Sequence, residues 1–261
     1  MLQVLWRSRG FIAGSVKREF VSRYRSSLLG AAWALINPVA MVLVYILVFS
    51  RLMQARLPGS TGALDYGIYL CAGILAWSCF AEIVQRSMTM FLDNAGLIKK
   101  MSFPRICLPV IVLATSAMNY AIIFGVLVLL LAVTGNFPGV FLLASFPVML
   151  LLCLIAAEVG IIVGVINVFF RDAGQLFSIL LQFWFWLTPI VYPLSILPAD
   201  IEPLVQANPL TPMIVAQQRI ALGIGWPDWS SLLPPLLLAL LLGAAALALF
   251  RRRAHEIVDE L

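Results

Sequence analysis

The length of the uncharged segments is what most constrains the fold of this chain. Residues 106–157 form a run of 52 positions without Asp, Glu, Lys or Arg, and residues 26–50 form another uncharged run. A helix needs about 20 predominantly apolar residues to cross the hydrocarbon core of a bilayer. The sequence is 62% hydrophobic and 11% charged, whereas soluble domains are roughly 45–50% apolar and about 25% charged. An all-α polytopic membrane protein is therefore predicted.

The run over residues 106–157 is too long for one crossing and contains a break. Gly135, Asn136, Pro138 and Gly139 occur within five positions, and these residue types favour turns over helix. Dividing the run there predicts six transmembrane helices within a single transmembrane domain, residues 1–261. The predicted spans 1 to 6 cover residues 26–50, 66–90, 106–134, 140–168, 173–196 and 229–250.

Basic residues are distributed unevenly between the two sides that six spans define. Thirteen Lys and Arg residues fall on the side of both termini and of the loops after spans 2 and 4, and three fall on the opposite side. Cytoplasmic loops of membrane proteins carry an excess of Lys and Arg, so both termini are expected in the cytoplasm. Most of the basic residues flank apolar runs, and nucleic acid is therefore not expected as a partner.

An N-terminal segment, residues 1–25, is predicted to lie on the membrane without crossing it. Ile12, Val16, Phe20 and Tyr24 recur every four positions and so share one ridge of a helix, while the segment also carries seven charged residues. This pattern indicates an amphipathic interfacial helix on the inner leaflet. The alternative is a simple topology anchor.

A second non-spanning segment, residues 197–228, lies on the outer side and is rich in proline. Thr211 and Pro212 are residue types preferred at a helix N-cap and first turn, which predicts a helix over about residues 212–222. The apolar stretches here are too short to cross. Short re-entrant or gating helices are expected, and any non-helical backbone at membrane depth must then be buried in protein.

Three charged residues fall inside predicted spans, where an unpaired charge is costly. Glu82 and Arg86 are four positions apart in span 2, the spacing at which two side chains are neighbours on a helix. Glu158 lies in span 4. We expect Arg86 to pair with Glu82 and also with Glu158. Three roles stay open: an ion pair that fixes helix packing, an inner vestibule for an anionic headgroup, and a proton relay.

Spans 1 and 5 each carry a face on which aromatic and hydrogen-bonding side chains alternate. Aromatic rings near the bilayer centre do not fit the interfacial belts of membrane proteins. Such faces suit an amphipathic solute such as sugar, which offers both C–H surfaces and hydroxyls. Ordinary helix packing with polar contacts between spans is the alternative. The predicted conduit residues are Trp33, Asn37, Tyr45, Gln175, Ser178, Gln182, Phe185 and Trp186.

Several classes of chemistry lack their residues in this sequence. There is no G-x-x-x-x-G-K-[ST] phosphate loop, so ATP binding of the P-loop kind is not expected in this chain. The single histidine, His255, lies in the polar tail, and the four cysteines form no C-x-x-C pair. We therefore expect no catalytic residues and no metal site, with the cysteines acting as small buried hydrophobes.

Three motifs resemble those of a known transporter family. Residues 24–38 read YRSSLLGAAWALINP, residues 94–105 read NAGLIKKMSFPR, and residues 208–214 read NPLTPMI, while Phe170-Arg171-Asp172 closes span 4. Over almost its whole length the chain resembles the membrane subunit of a type-2 ABC exporter. The resemblance is to the branch that moves lipid-linked polysaccharide: O-antigen, capsule or teichoic acid.

The resemblance implies a working complex of two membrane subunits and two copies of a separate ABC ATPase subunit, which binds ATP and Mg. It implies six spans in the bacterial inner membrane, with this chain holding no cofactor. Residues 94–102 would form a coupling helix that docks on the ATPase, and residues 197–228 would form gating helices near the exit. The implied coupling residues are Asn94, Leu97, Ile98, Lys99, Lys100, Phe103 and Arg105, and the implied gating residues are Asn208, Pro209 and Pro212.

The function that the resemblance implies is ATP-driven export of a lipid-linked polysaccharide, with O-antigen on a polyprenyl pyrophosphate carrier as the first expectation. A related ABC exporter for drugs or small lipids is one alternative. A second is an ion-coupled transporter that works alone through Glu82 and Glu158, and internal repeats would support it. A membrane enzyme such as a glycosyltransferase is the last, although Asp200 and Glu202 have no His or Lys beside them.

Overall fold

The computed structural model describes residues 2–24, 32–48, 57–58, 62, 64–100, 104, 106–253, 256 and 260. Within these ranges the regular secondary structure is entirely helical. The α-helices are α1 (Leu2–Arg7), α2 (Arg9–Tyr24), α3 (Trp33–Ile46), α4 (Asp65–Asp93), α5 (Ala95–Lys100), α6 (Cys107–Val133), α7 (Ser145–Phe169), α8 (Asp172–Trp186), α9 (Glu202–Gln206), α10 (Thr211–Ala221) and α11 (Leu233–Arg253). Short 3-10 helices cover Gly139–Ala144, Leu194–Ile196 and Ser230–Leu232.

Among the residues that the structure describes, four helical units are long and apolar enough to cross a membrane, which identifies the chain as a membrane protein. They are α4, α6, the unit Gly139–Phe169 that joins a 3-10 turn to α7, and the unit Ser230–Arg253 that contains α11. Their bounds agree with predicted spans 2, 3, 4 and 6 to within a few residues. The agreement arises because apolar length alone determines where such a helix can begin and end.

The two other predicted spans correspond to shorter helices. Helix α3 has 14 residues, and much of predicted span 1 on either side of it lies outside the described residues. Helix α8 has 15 residues and ends at Trp186, so a continuous helix over residues 173–196 is wrong. Pro189 lacks the N–H that would bond to the carbonyl of Phe185, and its ring would clash there. The hydroxyl of Thr188 donates instead to the Trp184 carbonyl at 2.8 Å.

The break between spans 3 and 4 lies where the turn residues predict it. Helix α6 ends at Val133 and helical structure resumes at Gly139. Gly135 and Gly139 have φ angles of 77° and 63°, in the left-handed region where a Cβ atom is disfavoured. The chain can therefore reverse direction within a few residues and return through the membrane.

Helix α4 is the central element of the bundle. It packs against α6, α7 and α10 and also contacts α3 and α8. Phe80, Ile83 and Val84 on α4 are fully buried, and they lie in the largest apolar cluster of the described structure, together with residues of α7 and α10. All four cysteines are buried, as expected, and each is a free thiol. Cys79 and Cys153 bring their sulfur atoms to 3.8 Å across the α4–α7 contact.

Two glycines let α7 approach α4 closely. A Cβ atom at Gly160 would overlap the side chain of Ser87, and one at Gly164 would lie 2.5 Å from the Ser87 carbonyl oxygen. Four positions separate these glycines, which places both on one helix face. Nearby, the side-chain amide of Asn167 donates to the Met88 carbonyl at 3.0 Å. The GxxxG sequence of span 4 therefore forms an intramolecular helix contact, which is the use such motifs commonly have in membranes.

Helix α10 is a short helix enclosed by the bundle, as a re-entrant segment would be. It packs on α4 and α7, and Gln217 and Gln218 are almost completely buried. The predicted N-cap role of Thr211 is wrong, because the helix already includes Thr211. Its hydroxyl donates to the Val205 carbonyl at 2.6 Å, since the α9–α10 connection brings that carbonyl within reach.

The N-terminal segment forms two helices instead of one, α1 and α2, which are separated at Ser8. Helix α2 packs on α6. The predicted ridge residues Ile12, Val16 and Phe20 are half-buried, whereas Lys17 and Val21 are exposed. The side chain of Tyr24 lies outside the described residues. The four-residue spacing thus identifies a half-buried ridge of α2.

Replacing Gly164 by Leu should destabilise the α4–α7 contact, because the new side chain meets backbone that cannot move aside. Overpacking of this kind costs about 1–3 kcal/mol. We expect Gly164→Leu to lower the thermal unfolding midpoint of the detergent-purified chain. Gly125→Leu is the matched control, since a Cβ atom at Gly125 in α6 has no atom within 4 Å. Equal midpoints for the two variants would contradict the close approach.

Candidate functional site

An ionic cluster joins the N-terminal segment to the bundle at the end of α4 that leads into α5. The guanidinium of Arg86 forms salt bridges with Glu82, at 3.5 Å, and with Glu19 of α2. All three side chains are largely shielded, with 22%, 24% and 34% of the side-chain surface of Arg86, Glu82 and Glu19 exposed. The predicted pairing of Arg86 with Glu82 is therefore present, and Glu19 is an additional partner.

Polar side chains of α6 complete the cluster. The hydroxyl of Thr115 lies 3.3 Å from Glu19 Oε2 and 2.8 Å from the Ile111 carbonyl, and the amide of Asn119 donates to Glu82 Oε2 at 2.8 Å. Ser116 lies between the two ions, accepting from Arg86 at 3.3 Å and donating to Glu82 at 3.3 Å. Buried charges are tolerated when they are paired and their remaining lone pairs are satisfied. The cluster meets both conditions and links α2, α4 and α6.

The ionic cluster helps to distinguish the three roles that the sequence left open for the charged residues within the spans. Among the described residues, one guanidinium is shared by two carboxylates that belong to different helices. Such an arrangement favours an ion pair that fixes helix packing over a vestibule for an anionic headgroup. The sequence patterns did not predict Glu19 as a partner, although it is the single acidic residue in residues 1–25. That isolation was the available signal.

Glu158 does not pair with Arg86, and that part of the prediction is wrong. Its carboxylate faces α11, where a Cβ atom at Gly243 would lie 2.8 Å from Glu158 Oε1. Glu158 Oε2 is buried and has no hydrogen-bond partner among the described residues. The face of α7 that carries Glu158 is therefore turned toward α11 and away from Arg86 on α4.

The predicted coupling segment forms the short helix α5 directly after α4. Asn94 ends α4, and its side-chain amide donates to the Met90 carbonyl at 2.8 Å. Ile98 is buried in an apolar cluster that includes Met90 and residues of α6, α7 and α11. Leu97 and Lys99 are exposed. Ile98 therefore anchors the segment, and Leu97 and Lys99 are the side chains free to meet another protein.

The remaining coupling residues are less fully described. Phe103 and Arg105 lie outside the described residues, as does the side chain of Lys100. A cavity of about 410 Å³ separates α5 from the ionic cluster, and its walls include Leu97, Glu19 and Arg86. The exposed side of α5 is thus adjacent to the contact between α2 and α4.

The predicted conduit residues of α8 point in several directions. Gln175 and Gln182 are exposed, Trp186 is 65% exposed, and the hydroxyl of Ser178 donates back to the Gly174 carbonyl at 2.9 Å. Phe185 instead packs inward against Trp77, with ring centroids 5.7 Å apart. Gln175, Gln182 and Trp186 are therefore exposed, while Ser178 and Phe185 are engaged within this chain.

The conduit residues predicted on α3 lie on a different part of the bundle. Helix α3 packs on α4 and α6, whereas α8 packs on α4 and α7. Trp33 is exposed and Tyr45 is half-buried, and the side chain of Asn37 lies outside the described residues. Among the described residues, α4 is thus the one main packing partner that α3 and α8 share.

Asn208, a predicted gating residue, connects the end of α8 to the outer segment. Its Oδ1 atom accepts from the Trp184 indole at 3.0 Å and from the Leu210 N–H at 3.1 Å. Its Nδ2 atom donates to the Leu187 carbonyl at 3.2 Å and to the Thr188 hydroxyl at 2.9 Å. The bonds to Trp184, Leu187 and Thr188 cross between the outer segment and the end of α8. Movement of the outer segment would therefore act directly on the end of α8.

The irregular backbone after α8 is satisfied by side chains of α4 and α10. Tyr66 donates to the Val191 carbonyl at 2.6 Å, and Tyr69 lies 2.9 Å from the Tyr192 carbonyl. The Gln218 amide donates to the Pro189 carbonyl at 3.1 Å. Backbone groups without water must find such partners, so these side chains hold the turn in place. Sequence reasoning did not identify them, because tyrosine and glutamine gave no periodic signal.

The two other predicted gating residues, Pro209 and Pro212, line an open cleft of about 660 Å³ between the α9–α10 region and the start of α11. Asn208 also borders this cleft. The structure therefore brings the three predicted gating residues together at one cavity, on the side of the bundle where α8 ends.

Comparison with known proteins gives relatives that match three quarters or more of the chain. It is 29% identical over 264 residues to the O-antigen export system permease protein RfbA of Myxococcus xanthus, covering 100% of this chain and 99% of that protein. It is 28% identical to RfbA of Klebsiella pneumoniae, covering 76% of this chain and 75% of the relative. The polysialic acid transport protein KpsM of Escherichia coli is 23% identical, with the same coverage.

The family assignment rests on a longer match than any single motif. Residues 12–222 match the family described as "ABC-2 type transporter". The match begins in α2 and continues to the end of α10, so it includes the ionic cluster, α5 and the Asn208 contacts. This chain belongs to the ABC-2 type transporter family.

Proposed function

We propose that this chain is the permease subunit of an ATP-driven exporter that moves a lipid-linked polysaccharide, with O-antigen as the first candidate, across the bacterial inner membrane. The observation that carries the proposal is the end-to-end similarity to a protein named as an O-antigen export permease. The similarity to a polysialic acid transport protein extends over about three quarters of the chain. One relative is named for O-antigen export and the other for polysialic acid transport, which favours polysaccharide as the substrate class over drugs or small lipids.

Energy for transport would come from a separate ABC ATPase subunit that binds ATP and Mg. The sequence has no P-loop motif, and family membership supports an ATPase partner. The exposed side of α5, with Leu97 and Lys99, would be the docking surface. Helix α5 follows α4 after a single residue and is anchored by Ile98. Force applied to α5 would therefore reach α4 directly.

The ionic cluster would carry the same movement to the N-terminal helix. Arg86 on α4 is bonded to Glu19 on α2, so α2 would follow α4 when the ATPase subunits move. Helix α2 would then lie on the inner leaflet as an interfacial helix. In this arrangement both termini are cytoplasmic, and α3 and α8 provide the first and fifth of six spans.

Two copies of the chain, with two ATPase subunits, would enclose the path of the polymer. Helices α3 and α8 expose apolar side chains such as Val44 and Leu176, and they are carried on different sides of α4. A two-fold pair is the commonest closed assembly. It would bring α3 of one copy toward α8 of the other, so that Trp33, Gln175, Gln182 and Trp186 could face a shared conduit.

Purified alone and reconstituted into vesicles, the chain should transport no polysaccharide when ATP is supplied. The reason is that ATP hydrolysis would take place on the partner subunit. Transport of labelled lipid-linked polysaccharide into the vesicle lumen is the measurement, and vesicles that also contain the ATPase subunit are the positive control. Sustained ATP-dependent transport by the lone chain would refute the proposed division of labour.

Arg86→Ala should abolish export, because it removes the guanidinium that the half-buried carboxylates of Glu19 and Glu82 share. Breaking a fully buried ion pair by removing one partner costs about 3–5 kcal/mol, and the partial exposure of these side chains makes the cost smaller here. The double variant Arg86→Leu, Glu19→Gln should restore part of the amount of chain in membranes that Arg86→Ala loses, because one of the two carboxylates is then replaced by a neutral amide. Surface polysaccharide and the amount of chain in membranes are measured together.

Lys17→Gln is the matched control for this series, because Lys17 is an exposed charge on the same helix as Glu19. It should export normally. Normal export by Arg86→Ala would show that the ionic cluster has no part in the working protein.

A probe at Leu97 should capture the ATPase subunit, whereas one at Ile98 should not. Leu97→Cys presents a thiol on the exposed side of α5, and Ile98→Cys presents a buried one. The four native cysteines are buried and give little background. Each variant is labelled in native membranes with a photoactivatable maleimide and examined by immunoblot. Capture of no ATPase subunit from Leu97→Cys would count against α5 as the docking surface.

A further inference from the structure

The open cleft bordered by Asn208, Pro209 and Pro212 has the size and lining of a ligand site. Its volume of about 660 Å³ falls within the range of roughly 300–1,000 Å³ typical of small-molecule pockets. One wall comes from α9 and α10, and the other comes from the 3-10 turn and first turn of α11. The cleft is therefore formed by elements distant in sequence, and movement of α10 against α11 would change its width.

Much of the wall of the cleft is apolar, and proline rings supply a large part of that apolar surface. Pro212 on one side faces Pro234 and Pro235 on the other, and Leu238 extends the apolar surface. Proline rings are rigid and present C–H groups to a ligand. Such a wall can contact the apolar faces of a sugar ring, and it loses little conformational entropy on binding, since proline has almost no side-chain freedom to lose.

The polar groups of the cleft divide into those already bonded and those still available. Asn208 and Thr211 are engaged within the chain. Arg219 is exposed, and its guanidinium forms no hydrogen bond or salt bridge with the residues that the structure describes. A guanidinium has five N–H donors. Arg219 therefore brings unused donors to the cleft.

Asp228 supplies acceptors beside that donor group. Its Oδ1 atom accepts from the Ser230 backbone N–H at 3.0 Å and from the Ser230 hydroxyl at 2.7 Å. These hydrogen bonds, with a smaller contribution from the charge of Arg219, lower the pKa of the Asp228 carboxyl below its usual value. Asp228 is thus held as an oriented carboxylate at neutral pH.

The presence of Arg219, Asp228 and the proline rings in one cleft determines which class of ligand can bind there. An anion would be repelled by Asp228, a cation would be repelled by Arg219, and an apolar ligand would leave the donors of Arg219 without partners. A hydroxyl-rich ligand can accept from Arg219, donate to Asp228 and place its C–H face on the prolines. We infer that this cleft binds a carbohydrate segment of the exported polymer, an inference that rests on the proposed function.

Arg219 also lies in the last turn of α10, where a cation interacts favourably with the helix dipole. That role needs only positive charge, whereas binding a sugar uses the planar set of donors that Lys lacks. Arg219→Lys therefore separates the two roles: it should keep the chain stable and still lower carbohydrate binding.

Photo-crosslinking in the native host tests the inference. Ser231→p-benzoylphenylalanine places the probe in the cleft, and Leu237→p-benzoylphenylalanine places it on the exposed surface of α11 as the control. After irradiation the chain is purified, and the host's own polysaccharide is detected on it by periodate oxidation and hydrazide-biotin labelling. We expect an adduct from position 231 and none from position 237.

Arg219→Ala, Arg219→Lys and Asp228→Asn in the position-231 background should each lower the adduct yield, by about tenfold for Arg219→Ala, because hydrogen bonds to charged groups are among the stronger ones. Normal export with no adduct at position 231, or with an unchanged yield in Arg219→Ala, would overturn the cleft as a carbohydrate site while leaving the proposed function intact. Export that persists after deletion of the chain would overturn both.

Discussion

The structure depends on one constraint: in lipid, every buried backbone group and charge must find its partner within the protein. The turn after α8 shows the consequence most clearly. Its carbonyls at Pro189, Val191 and Tyr192 are met by Tyr66, Tyr69 and Gln218. An irregular segment can therefore exist beside membrane-spanning helices, and it makes the end of α8 part of the same unit as α4 and α10.

The same constraint explains the ionic cluster at the other end of α4. A lone Arg86 would be costly at its position in an apolar helix, and two carboxylates with three polar groups of α6 compensate it. Because Glu19 comes from α2, the compensation also attaches the N-terminal segment to the bundle. The salt bridge that compensates the charge of Arg86 therefore also connects the segment that precedes the spans to the helix that leads into α5.

Helix α4 connects the two ends of the molecule. Glycines of α7 allow close packing on it near Ser87, and Phe80 and Trp77 on it contact the aromatic rings of α8. At one end α4 continues into α5, and at the other it holds the turn that Asn208 joins to α10. In the proposed exporter, a displacement of α5 by the ATPase subunit would therefore be transmitted through a rigid, closely packed helix to the segment that borders the outer cleft.

The sequence by itself determined the membrane class, the positions of four candidate membrane helices, the turn at residues 135–139 and the half-buried ridge of α2. These features follow from apolar length, from turn residues and from helical spacing, which are local properties. Only the tertiary structure decided that Arg86 bonds to Glu19 and not to Glu158, that Ile98 is buried beside the exposed Leu97, and that α8 ends at Trp186. Partners of this kind depend on which helices become neighbours and on how each one is rotated, and no periodicity along one chain specifies either.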